Sequence, residues 1–320
     1  MPHRYYTYAT VGSPGLQPVY AECFGIEEEA CLPTGMPRID DLLNPKHIAT
    51  VQATFANDHP ELVSDGGGVV STDKPAALAQ PPASDEPAAL AQPPASNEPA
   101  ALAQPPASDE PAALAQPPGV EVSTGGADAT GSTTEVKRII LFAPTFRGET
   151  SDTAFYPIDL LNLPALHAWC TTANASIVVS LHPYVTKNLT DAEGAYHSPV
   201  PPALADRIVD LSGQYNVNDL LHVADVLITD YSSVCYEFCY LGKPMLFFAP
   251  DESEYADSRG FLGNYRDLAP GKVVTSSEEL LAALSSGDFE PHRADAYRAQ
   301  FCGPADTHNA DRVLAAVLGV

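Results

Sequence analysis

Short apolar runs, each followed by a stretch with helical spacing, fill the carboxyl-terminal half of the chain. Five of these runs predict buried strands, at residues 138–143, 175–181, 207–211, 226–228 and 244–249. The stretches between and after them predict helices at residues 160–172, 217–223, 234–241, 276–284 and 306–318. Strands that alternate with helices indicate an α/β fold, in which a parallel sheet carries helices on both faces.

One strand-turn-helix unit contains a cluster of polar residues that could bind a ligand. The strand at residues 226–228 ends in a polar turn, and Ser232 and Ser233 precede the helix at residues 234–241. Free N–H groups and the positive end of the helix dipole make such a turn suitable for phosphate. Glu237 lies four residues after Ser233, on the same helix face, where its carboxylate could bind ribose hydroxyls. The alternative is an ordinary turn in which the serines only cap the helix.

Further polar residues follow the first two strands of this region. Pro144, Thr145 and Arg147 come after the first strand, and His182 comes after the second. Ligands of parallel sheets bind beyond the carboxyl ends of the strands, so these side chains are expected near Ser232 and Ser233. An imidazole, a guanidinium and hydroxyls at a helix start fit a phosphate ester better than a carbonyl or a metal.

His182 and Arg147 each have an alternative interpretation. His182 could be a general base or a hydrogen-bond donor to a phosphoryl group, or simply the histidine of a His-Pro turn. Arg147 could clamp a phosphate or be a solvated loop residue. The acidic stretch at residues 251–259 is predicted to be a solvated loop.

The chain divides into three predicted regions. Residues 1–63 are globular, with a strand at 5–11, helices at 16–24 and 47–57, and a turn-rich connection at 32–40 that contains Arg38. Residues 64–136 contain a repeated Asp-Glu-Pro-Ala-Ala-Leu-Ala-Gln-Pro-Pro-Ala-Ser unit. With so much proline and one large apolar residue per unit, this region is predicted to be an extended, disordered linker. Residues 137–320 form the α/β region.

Net charge, apolar runs and cysteine positions disfavour several classes of function. The net charge of -25 and the pI near 4.4 disfavour nucleic-acid backbones and anionic membrane surfaces as partners. No apolar run approaches the roughly 18 residues that a membrane-spanning helix needs. The six cysteines are scattered without a Cys-x-x-Cys pair, which predicts reduced thiols in a cytoplasmic protein. Cys235 and Cys239 share a helix face, but core packing is the better interpretation for them than metal binding.

Several segments together resemble the CDP-glycerol:poly(glycerophosphate) glycerophosphotransferase family, whose members make teichoic-acid-like polymers. The most specific segments are Ala143-Pro-Thr-Phe-Arg147 and Asp230-Tyr-Ser-Ser233. Their order and spacing match the family over residues 8–62 and 137–318. The remaining matching segments are residues 34–40, 180–183, 220–225, 242–248, 255–260 and 270–271.

The resemblance implies a Rossmann-like lobe of the GT-B type that binds a CDP-alcohol such as CDP-glycerol. It implies attack by an acceptor hydroxyl on the donor β-phosphate with release of CMP, no metal or redox cofactor, and work at the cytoplasmic face of the membrane with peripheral attachment. The acceptor would be a polyol phosphate or a glycolipid. His182 maps to one of two catalytic histidines. The positions that map to donor binding are Arg38, Pro144, Thr145, His182, Ser232, Ser233 and Glu237.

The chain departs from the family pattern at three points. None of its nine histidines precedes a glycine, whereas the family's other catalytic histidine lies in a His-Gly-Thr-Pro-like motif of the amino-terminal lobe. Most of that lobe is therefore expected to be missing. Glu237 replaces an aspartate, and Ser180 replaces a frequent arginine. The alternatives to a phosphotransferase are a GT-B glycosyltransferase that uses a nucleotide sugar and a non-catalytic lobe that only binds nucleotide.

Overall fold

A six-stranded parallel sheet organises the molecule, whose computed structural model describes residues 6–63, 137–261 and 263–319. The sheet has the order β5-β4-β3-β6-β7-β8, and a separate parallel pair, β1-β2, lies in the amino-terminal segment. The strands of the described residues are β1 Ala9–Thr10, β2 Cys31–Leu32, β3 Arg138–Phe142, β4 Ala175–Val179, β5 Ile208–Asp210, β6 Val226–Thr229, β7 Met245–Phe248 and β8 Lys272–Val274.

Helices connect the strands of the sheet and cover both of its faces. The α-helices of the described residues are α1 Gln17–Phe24, α2 Arg38–Leu42, α3 Pro45–Asp58, α4 Leu163–Thr172, α5 Pro183–Asn188, α6 Val217–Val223, α7 Val234–Leu241, α8 Glu252–Arg259, α9 Tyr265–Leu268, α10 Ser277–Ser286, α11 Pro291–Phe301 and α12 Asn309–Leu318. Short 3-10 turns precede α1, β2, α4 and β5.

The strand order fixes where a ligand can bind. From β3 the chain moves outward to β4 and β5, then returns to the other side of β3 and continues through β6, β7 and β8. This is the order of a dinucleotide-binding Rossmann sheet, in which a crevice opens where the direction of winding reverses. In this sheet the reversal lies between β3 and β6, so the loops after Phe142 and Thr229 border the crevice.

Alternate residues of each strand face the two opposite cores. In β3, Ile140 and Phe142 face one core, and Ile139 and Leu141 face the other. The second core also receives Phe55 of α3 and residues of α2, so the amino-terminal segment completes the packing of the sheet. Burial of this kind stabilises a fold by about 25 cal/mol for each Å² of apolar surface removed from water.

The predicted α/β class with a parallel sheet is confirmed, and the predicted strands and helices of residues 137–320 are present. Several details were wrong or were not predicted, among them the helices α5, α9 and α11. The sheet has a sixth strand, β8, that was not predicted; the acidic stretch predicted as a loop contains helix α8; and the amino-terminal strand is only Ala9–Thr10. Strand β8 begins with a lysine and lies at the sheet edge, where the apolar signal is weak. The predicted linker at residues 64–136 lies outside the described residues.

Helix α2 and the turn before it contact the last helix of the chain, α12. The Asp40 carboxylate accepts hydrogen bonds from the backbone N–H groups of Asn309 and Ala310, each at 2.8 Å, and thereby caps α12. Burial opposes the charge of Asp40, but these N–H groups outweigh that effect and lower its pKa. Gly35 has a φ of 80°, and a Cβ there would collide with the Asn309 side chain, so glycine is required at the contact.

The described residues on either side of the segment 64–136 lie close together. The Lys137 ammonium donates a hydrogen bond to the Glu61 backbone oxygen at 3.0 Å. The residues on either side of the segment are therefore neighbours. In the part of the chain that the structure describes, no helix has the length and apolar character to cross a membrane.

A histidine is buried in α6, against α3. The His222 ring is 5% exposed and lies 5.8 Å from the ring of His47, which in turn contacts Asp219 at 2.9 Å. Burial, together with the nearby charges of His47 and Lys243, lowers the pKa of His222 to about 4. The folded protein therefore holds this ring neutral, while the unfolded chain would protonate it near its usual pKa of about 6.5.

We expect His222 to make the protein lose stability in mild acid. Because the unfolded state binds the extra proton between the two pKa values, stability is complete above about pH 6.5 and falls towards pH 4. This group alone should lower the free energy of unfolding by about 2 kcal/mol between pH 7 and pH 5. Urea unfolding at a series of pH values measures how the free energy of unfolding depends on pH.

His222→Leu should weaken this pH dependence, whereas the control His292→Gln, at an exposed position, should leave it unchanged. An unchanged pH dependence in His222→Leu would contradict a buried neutral ring.

We expect Asp40→Ala to destabilise the protein by about 1–2 kcal/mol, the usual effect of losing a helix cap. The neighbouring Asp41 is exposed in the same first turn of α2 and provides the matched control. Asp41→Ala should change the free energy of unfolding by less than about 0.5 kcal/mol. Denaturant unfolding compares the two variants, and equal effects would show that Asp40 does not cap α12.

Candidate functional site

The loops after β3 and β6 are joined directly at the reversal of the sheet. The Thr145 backbone N–H donates to Asp230 Oδ1 at 2.7 Å, and the Thr229 hydroxyl donates to the Ala143 backbone oxygen at 2.7 Å. Asp230 is 1% exposed and also accepts from the Tyr231 backbone N–H at 2.6 Å. A buried carboxylate therefore fixes the two loops that border the crevice.

Ser232 and Ser233 lie at the start of α7, at the same edge of the sheet as the loops after β3 and β6. Ser233 occupies the N-cap position, but its side chain makes no capping hydrogen bond. Ser232 Oγ accepts from the Val234 backbone N–H at the long distance of 3.4 Å. Ser233 is exposed and Ser232 is half-buried, so this helix start presents serine hydroxyls towards solvent.

Glu237 and Arg38 form an ion pair, one turn into α7. Arg38 Nε donates to Glu237 Oε1, and the guanidinium also lies 5.6 Å from the centre of the Tyr236 ring. The carboxylate is buried, whereas the arginine side chain is 43% exposed. The structure thus brings Arg38 from the amino-terminal segment to the helix that carries the two serines.

His182 lies directly after β4, at the start of α5. Its Nδ1 accepts a hydrogen bond from the Tyr184 backbone N–H at 3.1 Å. The ring contacts those of Phe146 and Tyr184, each with centroids 4.8 Å away. Burial lowers the pKa of His182, which favours the neutral ring. Because Nδ1 accepts, the neutral ring carries its proton on Nε2 and can offer that proton as a hydrogen-bond donor.

Arg147 does not present its charge to the crevice in this structure. Its guanidinium contacts the Asp230 carboxylate at 2.9 Å and binds the Asp251 carboxylate through two N–H groups, at 2.5 and 2.9 Å. A third bond reaches the Thr145 backbone oxygen at 2.6 Å. Burial disfavours its charge, but the two carboxylates outweigh burial and raise the pKa of Arg147. The residue predicted as a phosphate clamp instead ties together the loops after β3, β6 and β7.

Aromatic rings surround the Arg147 guanidinium. Tyr156, Tyr231 and Tyr255 lie around it, with ring centres between 5.0 and 5.3 Å from its central carbon. Tyr231 and Tyr255 stack on each other at 3.9 Å. Such contacts favour a cation when water is excluded. Sequence reasoning missed Tyr255, because only its place in α8 brings it to the strand ends.

The predicted site residues therefore gather at one edge of the sheet. Phe146 links the β3 loop to His182, and the Thr145–Asp230 bond links the same loop to the turn that carries Ser232. Since β3 lies between β4 and β6, the three loops are neighbours about 5 Å apart from strand to strand. Pro144 is buried between β3 and Thr145. Whether these residues contact a donor stays a prediction.

Two further features lie at or near this edge. An open cleft of about 520 Å³ is lined by the loops after β7 and β8, including Pro250, Asn264, Tyr265 and Thr275, and it lies beside the crevice rather than in it. Within the described ranges, no three His, Cys, Asp or Glu side chains are grouped so that they could hold a metal ion.

A family model and two curated relatives both relate this chain to enzymes of teichoic acid synthesis. The sequence profile of the family described as CDP-Glycerol:Poly(glycerophosphate) glycerophosphotransferase matches residues 1–56 and 127–319. The teichoic acid ribitol-phosphate polymerase TarL of Staphylococcus aureus is 27% identical over 319 residues, which are 99% of this chain and 42% of TarL. The teichoic acid glycerol-phosphate primase of Bacillus subtilis is 38% identical over 150 residues, which are 47% of this chain and 35% of the primase.

Solved structures show the same fold. The wall teichoic acid polymerase TagF superposes with a TM-score of 0.57 and 20% identity, over 98% of this chain and 57% of that one. A TagF variant soaked with CDPG gives a TM-score of 0.58 and 19% identity, over 99% of this chain and 58% of that one. This likeness agrees with the predicted GT-B-type lobe. The chain spans less than half the length of the curated relatives TarL and TarK.

We expect Arg147→Gln to destabilise the protein by about 3–5 kcal/mol, because it leaves two carboxylates without their cation in a buried setting. Arg266→Gln is the matched control, since it breaks the exposed Arg266–Glu252 pair and should cost less than about 1 kcal/mol. Chemical denaturation of both variants gives the comparison. If both variants unfolded alike, the Arg147 network would contribute no more than a surface pair.

Proposed function

Because the chain belongs to the CDP-glycerol:poly(glycerophosphate) glycerophosphotransferase family, we propose that it binds a CDP-alcohol and transfers the polyol phosphate to an acceptor hydroxyl. The observation that carries this proposal is the meeting of three loops at the reversal of the sheet. These loops bring together a histidine N–H, two serine hydroxyls and a helix start. Such a set supplies hydrogen bonds and positive potential to a diphosphate.

Each side chain has a distinct role in this proposal. Ser232, Ser233 and the start of α7 hold the diphosphate. Glu237 binds Arg38 through Oε1, and we assign Oε2 to a ribose hydroxyl of the donor. Arg38 thereby orients the carboxylate. Thr145 lines the crevice beside them.

The proposed reaction is a direct displacement at the β-phosphorus. The oxygen of an acceptor hydroxyl forms the new P–O bond and the hydroxyl proton passes to water. The bond to the bridging oxygen breaks, and CMP leaves with its electron pair. His182 donates its Nε2–H to an oxygen of the transferring phosphoryl group, where charge accumulates. With Nδ1 engaged by the Tyr184 N–H, donation suits this ring better than proton abstraction.

The carried alcohol is glycerol or ribitol, and the relatives support both. TarL, named as a ribitol-phosphate polymerase, matches nearly the whole chain, whereas the glycerol-phosphate primase has the higher identity over a shorter stretch. The acceptor would be a polyol-phosphate chain or a glycolipid at the inner face of the cell membrane, where this protein would associate peripherally. Calorimetric titration with CDP-glycerol and CDP-ribitol identifies the donor.

Turnover separates this function from its alternatives. Release of CMP from a CDP-alcohol in the presence of acceptor supports the transferase. Turnover of a nucleotide sugar, with release of a nucleoside diphosphate, would indicate a glycosyltransferase. Binding of the CDP-alcohol without CMP release would indicate a lobe that holds nucleotide only.

We expect His182→Asn to lower the rate of CMP release by about 10²–10³-fold, as loss of a hydrogen bond to the reacting oxygens does. Asparagine caps a helix well, so this change removes the imidazole while it preserves the start of α5. Binding of CDP-glycerol should weaken by less than about tenfold, because the bond strengthens chiefly in the transition state.

His197→Asn serves as the control for this substitution. The His197 side chain is 67% exposed and pairs with Asp191 rather than with a proposed donor-binding residue, so its loss should leave CMP release unchanged. Rates of CMP release and calorimetric affinities are compared for the three proteins. Full turnover in His182→Asn would remove this histidine from the mechanism.

A further inference from the structure

A second arginine, Arg259, and His182 both contact the Phe146 ring. The Arg259 guanidinium packs over the Phe146 ring at 4.6 Å, and its Nη2 donates to the Gly148 backbone oxygen. The same Phe146 ring lies 4.8 Å from the His182 ring. Arg259 and His182 are thus neighbours at the carboxyl edge of β3 and β4, although they are far apart in sequence.

Helix α8 holds Arg259 in this place. Arg259 is the last residue of α8, and Tyr255 lies one turn before it. Tyr255 stacks on Tyr231 at 3.9 Å and lies 5.3 Å from the Arg147 guanidinium. The helix is therefore anchored to the buried network of the site, and its carboxyl end, where the dipole favours a cation, points Arg259 at the β3 loop.

The charge of Arg259 is unpaired, unlike that of the other arginines at this edge. Arg147 is neutralised by Asp230 and Asp251, and Arg38 by Glu237. Among the residues that the structure describes, none of the ion pairs includes Arg259. The Gly148 oxygen takes one N–H group, and a guanidinium has five, so several donors are left for a ligand.

An exposed cation that pairs with no carboxylate of the described residues matters in a chain with a net charge of -25. The overall field of such a protein repels an anionic ligand, so a local cation is needed to hold one. A planar guanidinium binds phosphate oxygens in a bidentate fashion, and stacking on Phe146 fixes its plane before the ligand arrives.

We propose that Arg259 is the phosphate-binding arginine of this site and performs the role that the sequence suggested for Arg147. Its ligand is a phosphate oxyanion, which belongs either to the diphosphate of the donor or to a phosphodiester of the acceptor chain. This inference rests on the proposed function, because it places Arg259 beside the same crevice. It adds a binding residue that lies on α8, outside the loops that carry His182, Ser232 and Ser233.

The test uses the 320-residue chain and calorimetric titration with three probes: CDP-glycerol, CMP and a poly(glycerol phosphate) oligomer. Arg259→Gln removes the charge and keeps a polar side chain of similar reach. Arg259→Lys keeps the charge without the planar fork. Arg266→Gln is the matched control, an exposed arginine in the neighbouring helix α9 whose charge is already paired.

Arg259→Gln should weaken binding of the phosphate ligand by about 10- to 100-fold, the usual effect of losing a charged hydrogen bond. Arg259→Lys should lose less, and Arg266→Gln should bind as the unmodified chain does. A loss for CDP-glycerol but not for CMP assigns Arg259 to the donor β-phosphate. A loss confined to the oligomer assigns it to the acceptor. Near-native thermal melting curves confirm that the variants are folded.

Two outcomes would overturn the proposal, and they can be told apart. If the unmodified chain binds CDP-glycerol and Arg259→Gln binds all three probes equally well, Arg259 is no phosphate ligand while the proposed function stands. If the unmodified chain binds neither CDP-glycerol nor CDP-ribitol, the proposed function itself fails, and the role of Arg259 fails with it.

Discussion

The buried carboxylate of Asp230 is the constraint on which the candidate site depends. It receives backbone N–H groups from Thr145 and Tyr231 and the guanidinium of Arg147. Burial raises its pKa, and Arg147 opposes that effect. Because these partners come from two different loops, the reversal of the sheet has a single geometry. The crevice, the start of α7 and the position of His182 all follow from that geometry.

If the proposed function holds, the network also explains how an acidic protein maintains a site for an anion. Two carboxylates and one guanidinium lie under the site, enclosed by tyrosine rings that exclude water. The buried arginine has no charge to spare, so attraction for a phosphate must come from groups at the rim. The helix start at Ser233, the Nε2–H of His182 and the guanidinium of Arg259 lie there. Under this proposal, the structural cation Arg147 and the ligand-binding cation Arg259 are separate residues.

Much of the fold was predictable, because buried parallel strands are short apolar runs with helices between them. Residues 138–142 and 226–229 are clearly apolar runs. Because the carboxyl ends of parallel strands lie at one edge of a sheet, Thr145, His182 and Ser232 were predicted to lie there together. The edge strand β8 and the acidic helix α8 gave no such signal, because neither is strongly apolar. The structural role of Arg147 was not predictable from the sequence. Asp251, which neutralises Arg147, lies more than a hundred residues away in sequence.

The contact between Lys137 and Glu61 has a consequence for how this chain tolerates its repeat. Residues 64–136 connect two points of the chain, near Glu61 and Lys137, that the folded part holds side by side. The entropy of closing a loop grows only with the logarithm of its length, so halving or doubling it changes the folding free energy by about 0.6 kcal/mol. Gain or loss of whole repeat units should consequently change the stability of the folded part of the chain very little.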